Sequence, residues 1–164
     1  MQLISLGAAV SISELSERTL WRRITDGSLR RGADDKRGRT LVSLDDVLAA
    51  TKLLQVQPED VELIRQADAG DAESQNDLAL LLLAQGRSKG AVYWFNLAAS
   101  QNHADAMNWL GRCYVEGLGV DQDENLGVMW IAKAAALGHV ISEAQMHGMK
   151  GKGASASATS PARI

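Results

Sequence analysis

Eight basic side chains crowd into residues 18–39 (Arg18, Arg22, Arg23, Arg30, Arg31, Lys36, Arg37 and Arg39) against only Asp26, Asp34 and Asp35, a local balance of +5. A patch of that density suits a polyanion, because each arginine or lysine can neutralise one phosphate. Other reactive residue types are sparse. His103 and His139 stand 36 residues apart at matching positions of two similar segments, with no cysteine or carboxylate at ligand spacing. A repeated structural cap is therefore expected there, not zinc. The run Asp121-Gln122-Asp123-Glu124-Asn125 starts like a calcium loop, but Leu126 and Ala132 occupy the places that need Gly and Glu. The single cysteine, Cys113, excludes an internal disulfide and reads as a buried, inert thiol beside Leu110 and Tyr114. Neither a Gly-rich phosphate loop nor a nucleophile paired with a base is evident. The expectation is a protein that binds, with no catalytic residue, cofactor or metal.

Charge divides the chain in two. Residues 59–147 carry five basic and thirteen acidic side chains, a balance of −8, opposite in sign to residues 18–39. Two surfaces of opposite sign imply two separate tasks. The hydrophobic fraction of 46% is ample for a core, and its weight in Ala and Leu favours closely packed helices. The apolar start (Leu3, Ile4, Leu6, Ala8–Val10) precedes the first basic residue, Arg18, so it lacks the leader of a signal peptide. With no run near the roughly 20 apolar residues of a membrane span, the chain is expected in the cytoplasm with no membrane partner.

The elements that must position these residues follow from an internal repeat. Residues 70–78 align with 102–110 at a spacing of 32, and residues 93–99 align with 129–135 at a spacing of 36. The extra four residues fall in the loop 117–123, where an insertion costs little. Each unit reads as two antiparallel helices, near 71–85 with 88–101, and near 104–116 with 124–137. A helix at 58–69 covers the front, opening on Pro58 with Glu59 and Asp60 at the positive end of its dipole. Another helix near 140–149 begins a third unit. Ala72, Ala98, Ala99, Ala106, Ala134 and Ala135 allow close helix approach, Trp94 and Trp130 fill the gaps between pairs, and the stack forms a short solenoid. Trp109 and Tyr114 fall at core spacing and are read as packing.

Ala106, Leu110, Gly111, Tyr114, Gly117, Gly119, Val120, Asp123, Trp130, Ala134, Ala135, Gly138 and His139 resemble the Sel-one-like branch of the tetratricopeptide-type repeats. The likeness covers 104–139 closely. Over 71–103 it is weaker, with Ala79 and Leu82 at the helix glycine and tyrosine positions. It implies an adaptor that holds another protein.

The first 54 residues have a different rhythm. Ser5 can cap a helix through Leu6, Ala9, Val10 and Ile12. Ser16 caps a second helix that stops at Gly27, with Leu20, Trp21 and Ile24 on one side and Arg18, Thr19, Arg22 and Arg23 on the other. Leu29–Arg31 and Arg39–Val42 can pair as strands around a basic tip, and Ser43 caps a third helix with Asp46 at its third position. This order, with its Ser16–Ile24 and Ser43–Val47 strings, resembles DNA-binding winged helix-turn-helix domains of the MerR and excisionase type. Two positions depart from that pattern: Glu14 stands where the turn usually has Gly, and Ser13 where a large apolar residue is usual.

The resemblance implies a second helix in the major groove, with Thr19, Arg22 and Arg23 nearest the bases. Arg18 shares that face, and Arg30, Arg31, Lys36, Arg37 and Arg39 would meet phosphates. The whole is expected to be mostly α. A small winged helix-turn-helix (1–54) and a connector (55–58) precede an α-solenoid of helical hairpins (59–149) and a disordered Gly/Ser-rich tail (150–164). The function expected is DNA-binding transcriptional regulation with a protein-interaction array; a scaffold without DNA binding is the rival. Double-stranded DNA is one partner. A protein, or a second copy forming a homodimer, is the other, held through Asn76, Asn108 and Arg112 or through the open end near 140–149.

Overall fold

The computed structural model describes residues 1–51 and 56–156. In the first part, β1 (Leu3–Ser5) leads straight into α1 (Leu6–Ser13), then α2 (Glu17–Thr25), β2 (Leu41–Ser43) and α3 (Leu44–Ala50). Each of the three helices begins on a serine whose hydroxyl accepts an otherwise orphaned backbone N–H: Ser5 from Ala8, Ser16 from Thr19 and Ser43 from Asp46. Between α1 and α2 the chain reverses at Glu14, which adopts the left-handed conformation (φ 54°) and donates its N–H to Val10. That is the conformation for which glycine is the usual choice. The neighbouring departure, Ser13, is buried with its hydroxyl donated to the Ala9 carbonyl at 2.6 Å. A short side chain that satisfies itself locally thus replaces an apolar one.

The expected pairing of Leu29–Arg31 with Arg39–Val42 is only partly formed. β2 instead runs antiparallel to β1, in the register Leu3↔Ser43, Ile4↔Val42 and Ser5↔Leu41, while the 29–31 segment adds a single bridge, Arg31↔Val42. The first strand pairs at Ile4, which with Val42 is 0% exposed, whereas the 29–31 segment contributes Leu29 to the core and is held to β2 by the Gly32 N–H on the Leu41 carbonyl and the Ser43 N–H on the Arg30 carbonyl. Trp21 is corrected too. Leu20 is buried under the helix, whereas Trp21 is 37% exposed, with Arg31 over its ring and its indole N–H donated to Glu17.

From Pro58 the chain is a helical array: α4 (Pro58–Ala69), α5 (Ala72–Ala84), α6 (Ser88–Ser100), α7 (Ala104–Glu116), α8 (Glu124–Ala136) and α9 (Val140–Ala156). The connector expected at 55–58 ends as anticipated, with Pro58 opening α4; Gln55 lies outside the described residues. Helix starts recur at equivalent points. Asp71 and Asp123 accept the N–H of Ser74 and Leu126, and His103 and His139 accept those of Ala106 and Ser142 through Nδ1. Because Nδ1 accepts, the ring N–H is at Nε2, and it faces a carboxylate of the preceding repeat: Glu73 at 2.9 Å for His103 and Asp105 at 3.3 Å for His139. The two histidines are therefore caps tied across repeats.

Trp94 and Phe95 are fully buried, and Phe95 stacks on Trp109 at 6.3 Å. In the second hairpin α7 and α8 touch at Gly111 and Gly127. A Cβ on Gly111 would lie 2.7 Å from the Gly127 carbonyl. The expectation for the tail is revised: α9 runs on to Ala156, and residues 157–164 lie outside the described residues. A helix already nucleated and docked propagates through poor helix formers more readily than such a sequence can start one.

One core spans both parts, from Ile4 to Ala134. The seam lies between β1 and α4 and between α1 and α6. At its first point Asp68 of α4 accepts from the Ser5 N–H (2.8 Å), the Ser5 hydroxyl (2.5 Å) and Arg39 Nη1 (3.0 Å). At its second, buried Arg87 donates to the Ile12 carbonyl at 2.8 Å, where the last orphaned carbonyls of α1 attract a cation. Gly90 presses on the Ser11 carbonyl, and the Tyr93 hydroxyl sits over Gly7.

Candidate functional site

The basic region resolves into engaged and free cations. Arg30 makes a two-pronged contact with Asp46 (2.8 and 2.7 Å), and Asp46 also accepts the Arg30 backbone N–H. Arg39 is held between Asp35 (2.7 Å) and Asp68 (3.0 Å). Arg31 pairs with Asp34 at 2.9 Å and lies 5.7 Å from the Trp21 ring. These three were expected to meet phosphates. Arg30 and Arg39 are each held by carboxylates that satisfy their planar guanidinium forks, and Arg30, with 57% of its side chain exposed, also faces solvent. Arg18, Arg22, Arg23, Lys36 and Arg37 form no ion pair among the described residues. Arg18 and Arg22 are exposed on α2 and Arg23 is half-buried, while Lys36 and Arg37 stand at the exposed tip before β2. Thr19 is half-buried, and its hydroxyl lies 2.8 Å from the Ser16 hydroxyl at the start of α2.

These pairs carry a pH signature. The Arg30 guanidinium and backbone N–H hold the Asp46 carboxyl down to about 2, below its ordinary 3.8. A carboxylate with a depressed native pKa contributes stability that is present above its unfolded value and lost as pH falls through the native one. We therefore expect Asp46→Asn to lower the urea midpoint at neutral pH and to shrink the fall in midpoint between about pH 4 and pH 2. An acid limb identical in the variant and the parent would show that this pair does not form in solution.

On the repeats, the candidate partner-binding residues separate. Asn76 and Asn108 are each only 3% exposed, which corrects the expectation that they project to solvent. Asn76 donates to Asp105 of the next repeat at 3.1 Å, and Asn108 donates to Ser142 at 2.7 Å and Gln145 at 3.1 Å. They are struts between successive repeats, placed 32 residues apart like the helices that carry them. Arg112 does face solvent, stacked 4.4 Å over Trp109 and loosely paired with Glu116.

The expected open end also differs from its anticipated form. Glu143, His147 and Lys150 on α9 stand 36 residues beyond Met107, Gly111 and Tyr114, so the face with which α7 receives α8 is polar and exposed on α9. Exposed apolar surface gathers instead at the α8–α9 turn, on Leu137 (51%), Val140 (75%) and Ile141 (60%). Cys113 is buried as expected, and burial pushes its thiol up to about 11. Sequence reasoning missed Asp68, Arg87 and Tyr93. Their partners lie in the first 39 residues, and no local pattern marks them.

This arrangement defines a helical-repeat protein with a small mixed unit at its front. Residues 72–103 and 104–139 match the model of the Sel1 repeat, one repeat on the α5–α6 hairpin and one on the α7–α8 hairpin. Over 82 residues, 48% of this chain, the sequence is 37% identical to DAP3-binding cell death enhancer 1 of Rattus norvegicus. That stretch is 16% of the rat protein, so the chain spans less than a fifth of its relative's length. Among solved structures, a Sel1 repeat protein from Oxalobacter formigenes is similar at 24% identity and a TM-score of 0.49, over 87% of this chain and 90% of that one. No helix among the described residues is long and apolar enough to cross a membrane.

Proposed function

We propose that this chain is a cytoplasmic DNA-binding regulator and not an enzyme: its first 50 residues act as a winged helix-turn-helix on double-stranded DNA, and its Sel1 repeats hold a protein partner. One observation carries the reading. α2 turns Leu20 into the core and leaves Arg18, Arg22 and Arg23 outside any ion pair among the described residues, with Asp26 near Arg22 and Arg23, while neighbouring Arg30 and Arg39 are each held by carboxylates. Cations that a fold leaves unpaired beside others it pairs carefully are available to an external anion. Lys36 and Arg37 extend the same charge towards flanking phosphates. On this reading a second copy would pair through Leu137, Val140 and Ile141, since the α9 face is polar.

The test is fluorescence-anisotropy titration of the full chain on mixed-sequence and promoter duplexes at two salt concentrations. Replacing Arg22 and Arg23 together by Ala is expected to weaken binding by more than about tenfold and to reduce the salt slope by about 2, one for each lost phosphate contact. Unchanged affinity in that variant removes α2 as the reading helix.

The second reading, a scaffold whose N-terminal unit also binds protein, draws on the array's balance of −8 and on the rat relative, whose name describes it as DAP3-binding. Absence of DNA binding at low salt by a folded chain would leave that reading standing.

A further inference from the structure

Where the N-terminal unit meets the array, a cleft of about 570 Å³ opens between the α1–α2 turn and α6. Its volume falls in the range of small-molecule sites, and the boundary between two structural units is a common place for one. Val10, Leu15 and the ring of Tyr93 give it an apolar lining, and Gly7 and Gly90 keep its walls close. A second hollow of about 310 Å³ shares Gly7, Glu17 and Tyr93 with the first and lengthens it towards Trp21. The walls are preformed. Arg87 ties the end of α1 to the array, Gly90 lies against the Ser11 carbonyl, and the Tyr93 hydroxyl caps Gly7. A ligand entering such a cleft meets little reorganisation cost.

Charge selects the ligand. Glu14 and Glu17 stand on the N-terminal wall and Lys89 on the α6 wall. None of the three forms an ion pair among the described residues, and Glu17 accepts only the Trp21 indole N–H. Glu14 is also the left-handed residue of the turn, a position that favours glycine or asparagine over glutamate. Two carboxylates against one ammonium leave the larger hollow net negative around an apolar floor; Arg39, on the wall of the second hollow, is offset by Asp35 and Asp68.

We propose that this cleft binds a small organic cation, with its flat apolar body against Val10, Leu15 and Tyr93 and its ammonium between Glu14 and Glu17. Lys89 offers a donor to an acceptor group at the far end. The site stands whether or not the chain reads DNA.

The probe is 2-phenylethylamine, with 3-phenylpropanoate as an anion of similar size and shape. Two-dimensional amide NMR of the full chain should show saturable shifts at Gly7, Ser11, Leu15 and Gly90 on adding the amine. A ligand this small is expected to bind at about millimolar Kd. The anion should bind at least about fivefold more weakly, and the Glu14→Gln/Glu17→Gln variant should lose about five- to tenfold in amine affinity. Both glutamates are exposed, so the variant's melting temperature should match the parent's; a variant that melts early is replaced by the single Glu14→Gln change with the same readout. No saturable shift at about 10 mM amine, equal binding of amine and anion, or full affinity in the glutamine variant would each overturn the proposal.

Discussion

Asp68→Ala is expected to destabilise the chain by about 3 kcal/mol and to strip amide-exchange protection from residues 3–50 before the repeats lose theirs. The side chain of Asp68 is only 10% exposed and holds three donors at once: the Ser5 N–H, the Ser5 hydroxyl and Arg39 Nη1. Removing the carboxylate leaves the Ser5 amide unpaired at the β1–α1 junction and takes away one of the two anions beside Arg39. Each hydrogen bond to a charged group contributes about 1.5–3 kcal/mol, and the 35% exposure of Arg39 keeps the ionic share at the lower end. Asp68→Asn retains one acceptor and should lose roughly half as much. Ser5→Ala removes the α1 cap and one of the three contacts, so the double variant should lose less than the sum of the singles, because both act on one network. A full-size loss with protection failing equally throughout would mean that the N-terminal unit and the array unfold as one body.

How far these contacts could be read beforehand depends on their range along the chain. Helices α4 to α8 of the array begin and end within a residue or two of the periods and caps that predict them, and α9 begins where expected, because a cap and the N–H it accepts lie three residues apart and both are in view. Ser5, Ser16, Ser43, Asp71, Asp123, His103 and His139 all behave this way. Strand β1 was not legible, since three residues before a helix carry no alternation that marks a strand. The asparagines failed for the opposite reason. Polar side chains off an apolar stripe read as exposed, yet Asn76 finds Asp105 in the next repeat and Asn108 finds Ser142 and Gln145. A clue was present: both repeats carry asparagine at the same position, and a repeated polar residue suits a repeated junction better than a variable surface. Among the basic residues, sequence supplied the patch but not its division. Only distances to Asp46 and Asp68 distinguish Arg30 and Arg39 from Arg18, Arg22 and Arg23.

The other large effect comes from a change that is ordinarily favourable. Gly→Ala inside an exposed helix stabilises by about 1 kcal/mol, and Gly148 in α9, with open space around its Cα, should give a gain of that order. Gly90→Ala should do the reverse. Its Cβ would fall 2.2 Å from the Ser11 carbonyl oxygen, a backbone atom at the end of α1 that cannot rotate away. Restoring a normal carbon–oxygen separation of about 3.3 Å requires α1 and α6 to part by roughly 1 Å. That movement stretches the 2.8 Å bond from Arg87 to the Ile12 carbonyl, leaving a buried guanidinium without this partner. Overpacking of about 1–3 kcal/mol and the weakened charged hydrogen bond together outweigh the propensity gain, for a net loss of about 3 kcal/mol. Urea unfolding of the Gly90→Ala and Gly148→Ala variants side by side provides the comparison. Opposite signs locate the tight contact at the α1–α6 seam. A stabilised Gly90→Ala chain would mean that the two helices do not touch there, and the cleft beside them would then lack the preformed wall that keeps its reorganisation cost low.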